Sequence, residues 1–393
     1  MYDVIVAGAG PGGASAAYYL GQAGLSVLIL EKEDLPRYKA CGGGVSIRTL
    51  EKYFPFSFDP VIESRARSIT YCLGGRAVQI PLQKPSLVMV MRERFDAHIL
   101  RHARAEVVTR SAVRKVIQTP DRVIVETQDG RTFAARYLIG ADGANSQTAR
   151  SAGLRRQKVT AAAVEAEVPV PPAAALRHCS SPVFIFGEVR QGYAWIFPKS
   201  GCLSVGVAAL KPNQGEIRAA MERIAERHHI PLSSVRLRGH PIPLHLRREP
   251  VAAGRVLLVG DAAGLADPLS GEGIRMAIKS ARLASAAILK GRPDLYSAWV
   301  ETQIGSGLRQ VLPLAWLFYR FPLLCHLLGE RNPFMTEAFM DMLSDEAGYP
   351  QLFLRSMATL PVFLLTEAGG AFLRLSGRPD LGERFRSRVY GGR

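Results

Sequence analysis

Cysteine is scarce in this chain of 393 residues, and its spacing argues against two common uses of that residue. No two cysteines form a Cys-x-x-Cys pair, so neither a disulfide framework nor a zinc site is expected, and reduced thiols in a cytoplasm fit best. The predicted first strand begins at Tyr2 and leaves no room for a signal or transit peptide. We therefore expect a cytoplasmic protein without a metal site. The cysteines are Cys41, Cys72, Cys179, Cys202 and Cys325.

Long uncharged apolar runs are also lacking. None reaches the roughly 18 to 20 residues that a membrane-spanning helix needs. The nearest candidate, VLPLAWLFYRFPLLCHLLG at 311–329, contains Arg320 and the prolines Pro313 and Pro322. This segment predicts broken, partly amphipathic helices that are buried or lie on a membrane surface rather than crossing it.

Acidic residues are too few to balance the basic ones. The formal charge is +16 and the pI about 9.9, whereas the hydrophobic content of 48% and the charged content of 21% are ordinary for a globular protein. Such an excess favours an anionic partner, which could be nucleic acid, a phosphate-bearing ligand or an anionic membrane. The charges are spread along the chain and no nucleic-acid-binding module is recognisable, so we expect no nucleic-acid partner.

The N-terminal sequence YDVIVAGAGPGGASAAYYLGQAGLSVLILEK has the pattern of a β-α-β unit. Gly8, Gly10 and Gly13 match the dinucleotide fingerprint, in which glycines allow a tight turn and close approach of a pyrophosphate. Glu31 ends the second strand, where a carboxylate can accept hydrogen bonds from ribose hydroxyls. A dinucleotide site is therefore predicted here. No second fingerprint follows, so a separate NADPH-binding Rossmann domain is not expected.

Two later segments repeat the logic of an apolar strand that ends in small residues and an aspartate. GADGANSQTAR carries Asp142 and Gly143, and VGDAAGLADPLSGEGI carries Asp261, Gly271 and Gly273. In a doubly wound sheet, ligands bind outside the carboxyl ends of the strands, so the three segments can converge on one elongated cofactor. Asp261 suits a polyol chain, and the amides near Gly271 and Gly273 can hold a carbonyl or phosphate at a helix start.

These motifs together resemble the FAD-dependent family typified by p-hydroxybenzoate hydroxylase. Within that superfamily, PRYKACGGG at 36–44 and GYAWIFPKSGCLSVGV at 192–207 are similar to the geranylgeranyl reductases, and AFMDMLSDE at 338–346 is similar to the C-terminus of their chlorophyll-type members. The resemblance implies an FAD cofactor, whose reduced flavin delivers hydride to an isoprenoid alkene. It also implies NADPH or reduced ferredoxin as electron donor. The apolar substrate and the basic charge of the chain suggest peripheral membrane contact.

The implied fold class is α/β. A Rossmann-type, p-hydroxybenzoate hydroxylase-like FAD-binding domain is interleaved with an antiparallel β-rich substrate domain, and a helical C-terminal region follows. We expect the FAD-binding domain to be discontinuous, and the remaining blocks to be β-rich or helical. The predicted ranges are 1–55, 91–158 and 250–292 for FAD binding, 56–90 and 159–249 for substrate binding, and 293–393 for the helical region.

The resemblance also implies site residues. Cys41 would face the flavin as a proton donor or redox-tuning neighbour, although a small buried thiol is an equal alternative. Tyr193 and Trp195 alternate on one strand face and could wall an apolar tunnel or simply belong to the core. Arg92 would contact the cofactor, with Asp96 positioning its helix. The predicted catalytic residues are Cys41, Tyr193 and Trp195; the predicted cofactor-binding residues are Gly8, Gly10, Gly13, Glu31, Lys32, Cys41, Gly42, Gly43, Arg92, Asp142, Gly143, Asp261, Gly271, Gly273 and Ile274.

Several other charged or titratable residues are expected to lie at the surface without a role in the site. His98 and His102 are four apart on a predicted helix, but no third metal ligand follows, so a solvated face is favoured. Glu165 and Glu167 are expected to face solvent. Lys199, near Arg190, could meet a diphosphate, but a surface charge is the preferred interpretation.

Two other functions stay open at this stage. One is a flavin-dependent monooxygenase or halogenase on the same fold, although the chain lacks the paired-tryptophan motif of halogenases. The other is a flavin- or isoprenoid-binding protein without turnover. Within the reductase interpretation, a free diphosphate, a pigment, an ether lipid and a menaquinone side chain all remain possible substrates.

Overall fold

The protein is described from a computed structural model, which covers residues 1–84, 86–155, 159–171, 181–232, 235–326, 332–376, 381–384 and 389. The strands are β1 (Tyr2–Ala7), β2 (Val27–Leu30), β3 (Gly44–Ser46), β4 (Ile62–Arg65), β5 (Ser68–Leu73), β6 (Arg76–Pro81), β7 (Leu87–Val90), β8 (Glu106–Val108), β9 (Val113–Gln118), β10 (Val123–Thr127), β11 (Thr132–Gly140), β12 (Val159–Pro169), β13 (Val183–Phe186), β14 (Gly192–Lys199), β15 (Cys202–Leu210), β16 (Arg238–Leu244), β17 (Ala252–Ala253) and β18 (Val256–Leu258).

The described α-helices flank these strands and dominate the C-terminal region. They are α1 (Pro11–Gln22), α2 (Ile47–Tyr53), α3 (Arg92–Arg101), α4 (Gln147–Ser151), α5 (Glu216–Arg227), α6 (Ile274–Leu289), α7 (Tyr296–Val300), α8 (Ser306–Gln310), α9 (Leu312–Arg320), α10 (Pro322–Cys325), α11 (Pro333–Leu343) and α12 (Tyr349–Leu375). A π-helical turn, Glu301–Gly305, joins α7 to α8.

An eight-stranded sheet carries the dinucleotide motifs. Its main path runs β17-β18-β11-β1-β2-β8, with β9 and β10 continuing from β11 as an antiparallel pair. Val4–Ala7 of β1 and all of β2 are apolar and buried, as expected of parallel strands covered on both faces. Ala7 pairs with Leu30 and Gly140, and Gly140 pairs with Leu258. The carboxyl ends of four strands are thus level, and the segments that follow them emerge at one edge.

A seven-stranded, mostly antiparallel sheet faces this edge, in the order β16-β12-β15-β14-β13-β5-β6. One face packs on α5 through a core that includes Ile196, Val205 and Met221. The other face carries Trp195, Phe197 and further aromatic side chains. A small sheet, β3-β7-β4, lies between the two large ones. The predicted fold class is confirmed; the predicted domain boundaries remain a prediction.

The C-terminal helices dock on the FAD-binding half through polar contacts. Asp345, which follows α11, binds Lys52 and Tyr53 of α2 and Lys279 of α6. The segment 311–329 forms the broken helices α9 and α10, as predicted, with residues 327–329 outside the described range. Among the residues that the structure describes, Tyr349–Leu373 is the one helix long and apolar enough to cross a membrane by length and composition, so the prediction that 311–329 comes nearest to a membrane span was wrong.

Candidate functional site

A cavity of about 760 Å³ lies between the eight-stranded and seven-stranded sheets. The three motif segments line one part of it, and aromatic residues of the seven-stranded sheet line another. Predicted site residues on its wall are Gly8, Gly10, Glu31, Lys32, Cys41, Gly42, Gly43, Arg92, Asp142, Gly143, Tyr193, Trp195, Asp261, Gly271, Gly273 and Ile274. Gly13 lies behind the wall. The structure thus brings the predicted residues together, while their roles remain predictions.

The glycine fingerprint forms a tight turn in which Gly13 leaves no space for a side chain. A Cβ on Gly13 would lie 1.8 Å from the Gly8 carbonyl oxygen, so the helix can approach the strand only without a side chain there. Gly10 differs, because its Cβ would point toward the cavity and come no closer than 3.5 Å, to Arg37 Nη2. Glu31 is buried and accepts a hydrogen bond from the Ala9 amide at 2.7 Å.

The two aspartate segments occupy the neighbouring strand ends. Asp142 accepts hydrogen bonds from the Thr148 amide at 2.9 Å and from the Ser146 hydroxyl, which fixes the turn into α4. Asp261 Oδ2 lies 4.0 Å from His240 Nε2. Burial, together with the charges of Lys39 and Arg92, lowers the pKa of His240 to about 3, so its ring is neutral. Asp261 therefore faces the cavity without a protonated histidine beside it.

Arg92 is buried rather than on a solvated helix face. Its Nε and Nη2 donate to the two carboxylate oxygens of Asp96, both at 2.9 Å, and its guanidinium reaches the Cys41 side chain. Burial opposes its charge, yet Asp96 and Cys41 together hold the pKa of Arg92 above its usual range. Arg94 is exposed and pairs with Glu63. The fixed cation therefore lies at the Cys41 loop.

The three glycines after Cys41 let this loop press against two strands. A Cβ on Gly42 would lie 3.0 Å from Trp195 Nε1, and one on Gly43, at φ +77°, would lie 2.1 Å from the Val90 carbonyl oxygen. The loop is therefore packed between β7 and β14, not an open turn. Cys41 is half-buried, and its thiol is free.

The aromatic part of the cavity comes mainly from alternating residues of β14. Tyr193 donates a hydrogen bond to the Ser270 carbonyl at 2.6 Å, and Trp195 Nε1 donates to the Ser204 hydroxyl at 3.3 Å. Burial raises the pKa of Tyr193 well above its usual range, so its hydroxyl stays neutral. Phe184, Phe197, Phe339 and Leu343 also line this part. It is an apolar chamber that contacts the Cys41 loop.

Four expectations about charged residues were wrong. Glu165 and Glu167 do not face solvent: Glu165 is 3% exposed, and Glu167 Oε1 pairs with Lys199 Nζ at 2.5 Å. Lys199 is likewise buried rather than a surface charge. His98 is 6% exposed, and its ring packs against those of Phe56 and Phe58, so it is not solvated. Burial among apolar or oppositely charged partners overrode the expected solvation in each case.

Lys39 is a site residue that the sequence analysis did not single out. It lies in the same RYKACGGG motif and lines the cavity. Burial and the nearby charge of Arg92 lower the pKa of its ammonium to about 8. Its position between two glycine-rich segments is the only sequence signal that could have indicated it. Arg190, by contrast, is an exposed loop residue whose amide donates to Glu216.

The residues present fit FAD. Gly10 leaves space for close backbone approach, Glu31 is oriented by the Ala9 amide, and Asp261 faces the cavity. Arg37 forms ion pairs with Glu31 through Nε at 3.3 Å and with Asp96 through Nη1 at 3.5 Å, and its buried Nη1 makes no hydrogen bond to any described residue, so this atom can still donate to an anionic ligand. Within the described residues, no cluster of three His, Cys, Asp or Glu side chains could hold a metal ion.

Comparison with known proteins agrees with this fit. The FAD binding domain family model matches residues 1–292. The chain is 29% identical to the chloroplastic geranylgeranyl diphosphate reductase of rice over 371 residues, which are 87% of this chain and 78% of the relative. It is 30% identical to a menaquinone reductase of Mycolicibacterium smegmatis (76% and 79%) and to digeranylgeranylglycerophospholipid reductase 1 of Methanopyrus kandleri (72% and 79%).

Solved structures share the fold. A geranylgeranyl bacteriochlorophyll reductase-like protein from Thermoplasma acidophilum superposes with a TM-score of 0.71 at 24% identity, covering 91% of this chain and 96% of that one. A flavin-dependent brominase superposes with a TM-score of 0.69 at 20% identity, covering 87% and 93%. Fold alone does not separate these activities. The chain belongs to the geranylgeranyl reductase family of FAD-dependent oxidoreductases.

Proposed function

We propose that this protein saturates carbon–carbon double bonds of a geranylgeranyl or other polyprenyl group. The observation that carries the proposal is the apolar chamber of Phe184, Tyr193, Trp195 and Phe197, which opens into the same cavity as the dinucleotide motifs. Its aromatic walls suit an isoprenoid chain. Relatives named for reducing geranylgeranyl diphosphate, menaquinone and a digeranylgeranyl lipid support this substrate class.

The chain's own residues position the reactants and exclude water. When bound, reduced FAD supplies the hydride. Gly42 allows the Cys41 loop to lie against Trp195, and the Tyr193 hydroxyl is held by Ser270. The backbone near Gly271 and Gly273 precedes α6, where its amides can hold an electron-rich cofactor group. Electrons would come from an external donor, NADPH or reduced ferredoxin.

An anaerobic assay tests the proposal. The purified protein is reduced with dithionite, mixed with geranylgeranyl diphosphate or with a polyprenyl quinone or lipid in vesicles, and followed by flavin absorbance and product mass. We expect flavin oxidation with a product gain of two hydrogens per double bond. A flavin that stays reduced with every polyprenyl compound until oxygen enters would contradict the reductase function and favour a monooxygenase or halogenase.

We also propose that the protein works in the cytoplasm, at an anionic membrane surface. Helix α12 exposes 64% of Leu354, 73% of Leu365 and 70% of Phe372, and α9 exposes 61% of Trp316. Leu354, Leu365 and Phe372 lie 11 and 18 positions apart on α12 and so share one helix face, which we call the apolar C-terminal surface. Helix α11 packs on α12 and also contributes Phe339 and Leu343 to the chamber. A lipid held at this surface thus lies close to the cavity wall.

The charge of the C-terminal sequence supports an anionic partner. Residues 374–393 contain two acidic residues, Asp380 and Glu383, and six arginines: Arg374, Arg378, Arg384, Arg386, Arg388 and Arg393. An apolar helix followed by clustered basic residues is typical of attachment to anionic lipid, with about 1 kcal/mol per basic residue near the surface.

Charged substitutions on the apolar C-terminal surface should weaken vesicle binding. We expect the double variant Leu354→Glu/Leu365→Glu to bind phosphatidylserine vesicles at least tenfold more weakly, since each leucine that becomes buried in the lipid contributes roughly 1.5–3 kcal/mol to binding. Vesicle flotation measures the binding. Leu289→Glu, at a 46% exposed leucine on α6, is the matched control and should bind like wild type. If wild type binds no vesicles but self-associates, and the double variant loses this self-association, the surface binds a second copy of the chain instead of lipid.

A further inference from the structure

One buried carboxyl group on the cavity wall has no role in the function proposed so far. Glu165 on β12 lines the cavity and is 3% exposed. One of its oxygens accepts a hydrogen bond from the Tyr38 hydroxyl, and the other accepts from the Ser204 hydroxyl at 3.3 Å. Ser204 in turn accepts from Trp195 Nε1 at 3.3 Å. Glu165 therefore joins the segment before Cys41 to the aromatic wall.

This carboxyl also has a connection toward solvent. Tyr38 is only half-buried, and the guanidinium of exposed Arg238 lies 4.2 Å from the centroid of its ring. Arg238 lies directly opposite Glu165 in the antiparallel pairing of β16 with β12. A short path thus runs from the protein surface through the Tyr38 hydroxyl to Glu165 and into the cavity.

The surroundings of Glu165 favour a carboxyl that can hold a proton. Burial is the largest influence and raises its pKa, and the like charge of Glu167 on the same strand raises it further. The hydrogen bonds from Tyr38 and Ser204 and the charge of Lys199 on β14 act in the opposite direction. Lys199 and Glu167 form an ion pair at 2.5 Å, so their opposite effects on the pKa of Glu165 largely offset each other and burial decides its direction. The pKa of Glu165 therefore lies above that of an ordinary glutamate.

Three of the other proton-bearing groups on the cavity wall are engaged in contacts of their own. Glu272 accepts from the Arg275 amide at 2.5 Å and lies 3.4 Å from the Arg275 guanidinium, so it caps α6. Tyr193 donates its proton to the Ser270 carbonyl. Cys41 contacts the Arg92 guanidinium. Of these groups, Glu165 combines a free path to solvent with a position in the substrate half of the cavity.

We propose that Glu165 is the proton donor for alkene reduction and that Tyr38 returns a proton to it from solvent. This inference rests on the proposed function. In each turnover one carbon–carbon π bond breaks and two carbon–hydrogen bonds form. One carbon receives hydride, with its two electrons, from the reduced cofactor, which is oxidised; the other receives the proton of Glu165. The resulting carboxylate regains a proton through the Tyr38 hydroxyl, so atoms and charge balance.

The test compares first-turnover and steady-state rates of the FAD-loaded enzyme under anaerobic conditions. We expect Glu165→Gln to slow first-turnover flavin oxidation on the order of 100-fold or more, the usual contribution of a general acid. Glu165→Asp should restore part of the rate. Tyr38→Phe should lower the steady-state rate more than the first-turnover rate, because it removes the hydroxyl that returns the proton after each turnover. Glu222→Gln on exposed α5 is the matched control.

Two readouts separate proton donation from a structural role. The wild-type first-turnover rate should fall as pH rises through the pKa of Glu165, because the donor must be protonated, and this fall should disappear in Glu165→Gln. Infrared titration of the protein without substrate should show a protonated carboxyl band that the same variant lacks.

The two proposals fail in distinguishable ways. If wild type reduces polyprenyl substrates and Glu165→Gln keeps both its rate and its pH profile, the donor role is wrong and the reductase function stands. If wild type reduces no polyprenyl substrate, the reductase function fails, and the donor role fails with it. An infrared band that is unchanged in Glu165→Gln would show that Glu165 is ionised and would overturn the donor role on its own.

Discussion

Replacing Gly10 with alanine is expected to give a folded protein that has lost its cofactor. The backbone of Gly10 is extended, at φ −71° and ψ −175°, so alanine fits without strain. The added Cβ meets only Arg37 Nη2 at 3.5 Å and Arg92 Nη2 at 4.0 Å, both ordinary contacts. It does occupy the wall against which a pyrophosphate must lie. We expect FAD affinity to fall on the order of 100-fold, the equivalent of about 3 kcal/mol.

The measurements are the flavin content of the purified protein and titration of the apoprotein with FAD. Gly12→Ala in the same turn is the comparison variant, because its Cβ would meet the side chains of Val259 at 3.1 Å and Ala277 at 3.5 Å, whereas the Cβ of Gly10→Ala meets only guanidinium atoms. That variant should lose some stability and keep most of its affinity. Gly13→Ala should lose both, since its Cβ meets backbone at 1.8 Å. Wild-type affinity in Gly10→Ala would show that the pyrophosphate does not lie against this turn.

Local patterns were sufficient to predict the cofactor half of the site. Strand, glycine turn and helix are adjacent in sequence, and the apolar strands before Asp142 and Asp261 are short buried runs. Because parallel strands end level at one edge of a sheet, the convergence of these segments follows from fold class without any long-range contact. The alternation of Tyr193 and Trp195 likewise predicts a shared face.

Burial of charge was not predictable in the same way. A glutamate or lysine on a strand normally faces solvent, and only its partner explains an exception. The partners here are distant: Tyr38 and Glu165 are 127 residues apart, and Lys199 and Glu167 are 32 apart. No local pattern encodes such pairs. Helix α12 lies in the region predicted to be helical, but it was not singled out as an apolar helix, because Arg355, Pro361 and Glu367 interrupt its apolar sequence without breaking the helix.

A second large effect is expected at the joint between the C-terminal helices and the FAD-binding half. Asp345 accepts hydrogen bonds from Lys279 at 2.7 Å, Tyr53 at 2.9 Å and Lys52 at 3.1 Å, and lies 3.4 Å from Arg275. Asp345→Asn keeps the shape, and asparagine tolerates its φ of 58°. It leaves Lys279, whose side chain is 17% exposed, without this carboxylate, while Arg275 keeps Glu272 and Lys52 is 44% exposed, so we expect the free energy of unfolding to fall by about 1–3 kcal/mol at neutral pH. Urea unfolding measures this difference.

The loss of stability at low pH should depend in part on the same carboxylate. Burial opposes its ionisation, but Lys279, Lys52 and Arg275 lower the pKa of Asp345 from 3.8 to about 2. A depressed pKa contributes stability that is present above the unfolded value near 3.8 and is lost as pH falls toward 2. Asp345→Asn should lack this part of the acid loss, whereas Asp294→Asn in an exposed ion pair should change little. If Asp345→Asn lost as much unfolding free energy as wild type between pH 4 and pH 2, this carboxylate would not stabilise the fold through its four cationic and phenolic partners.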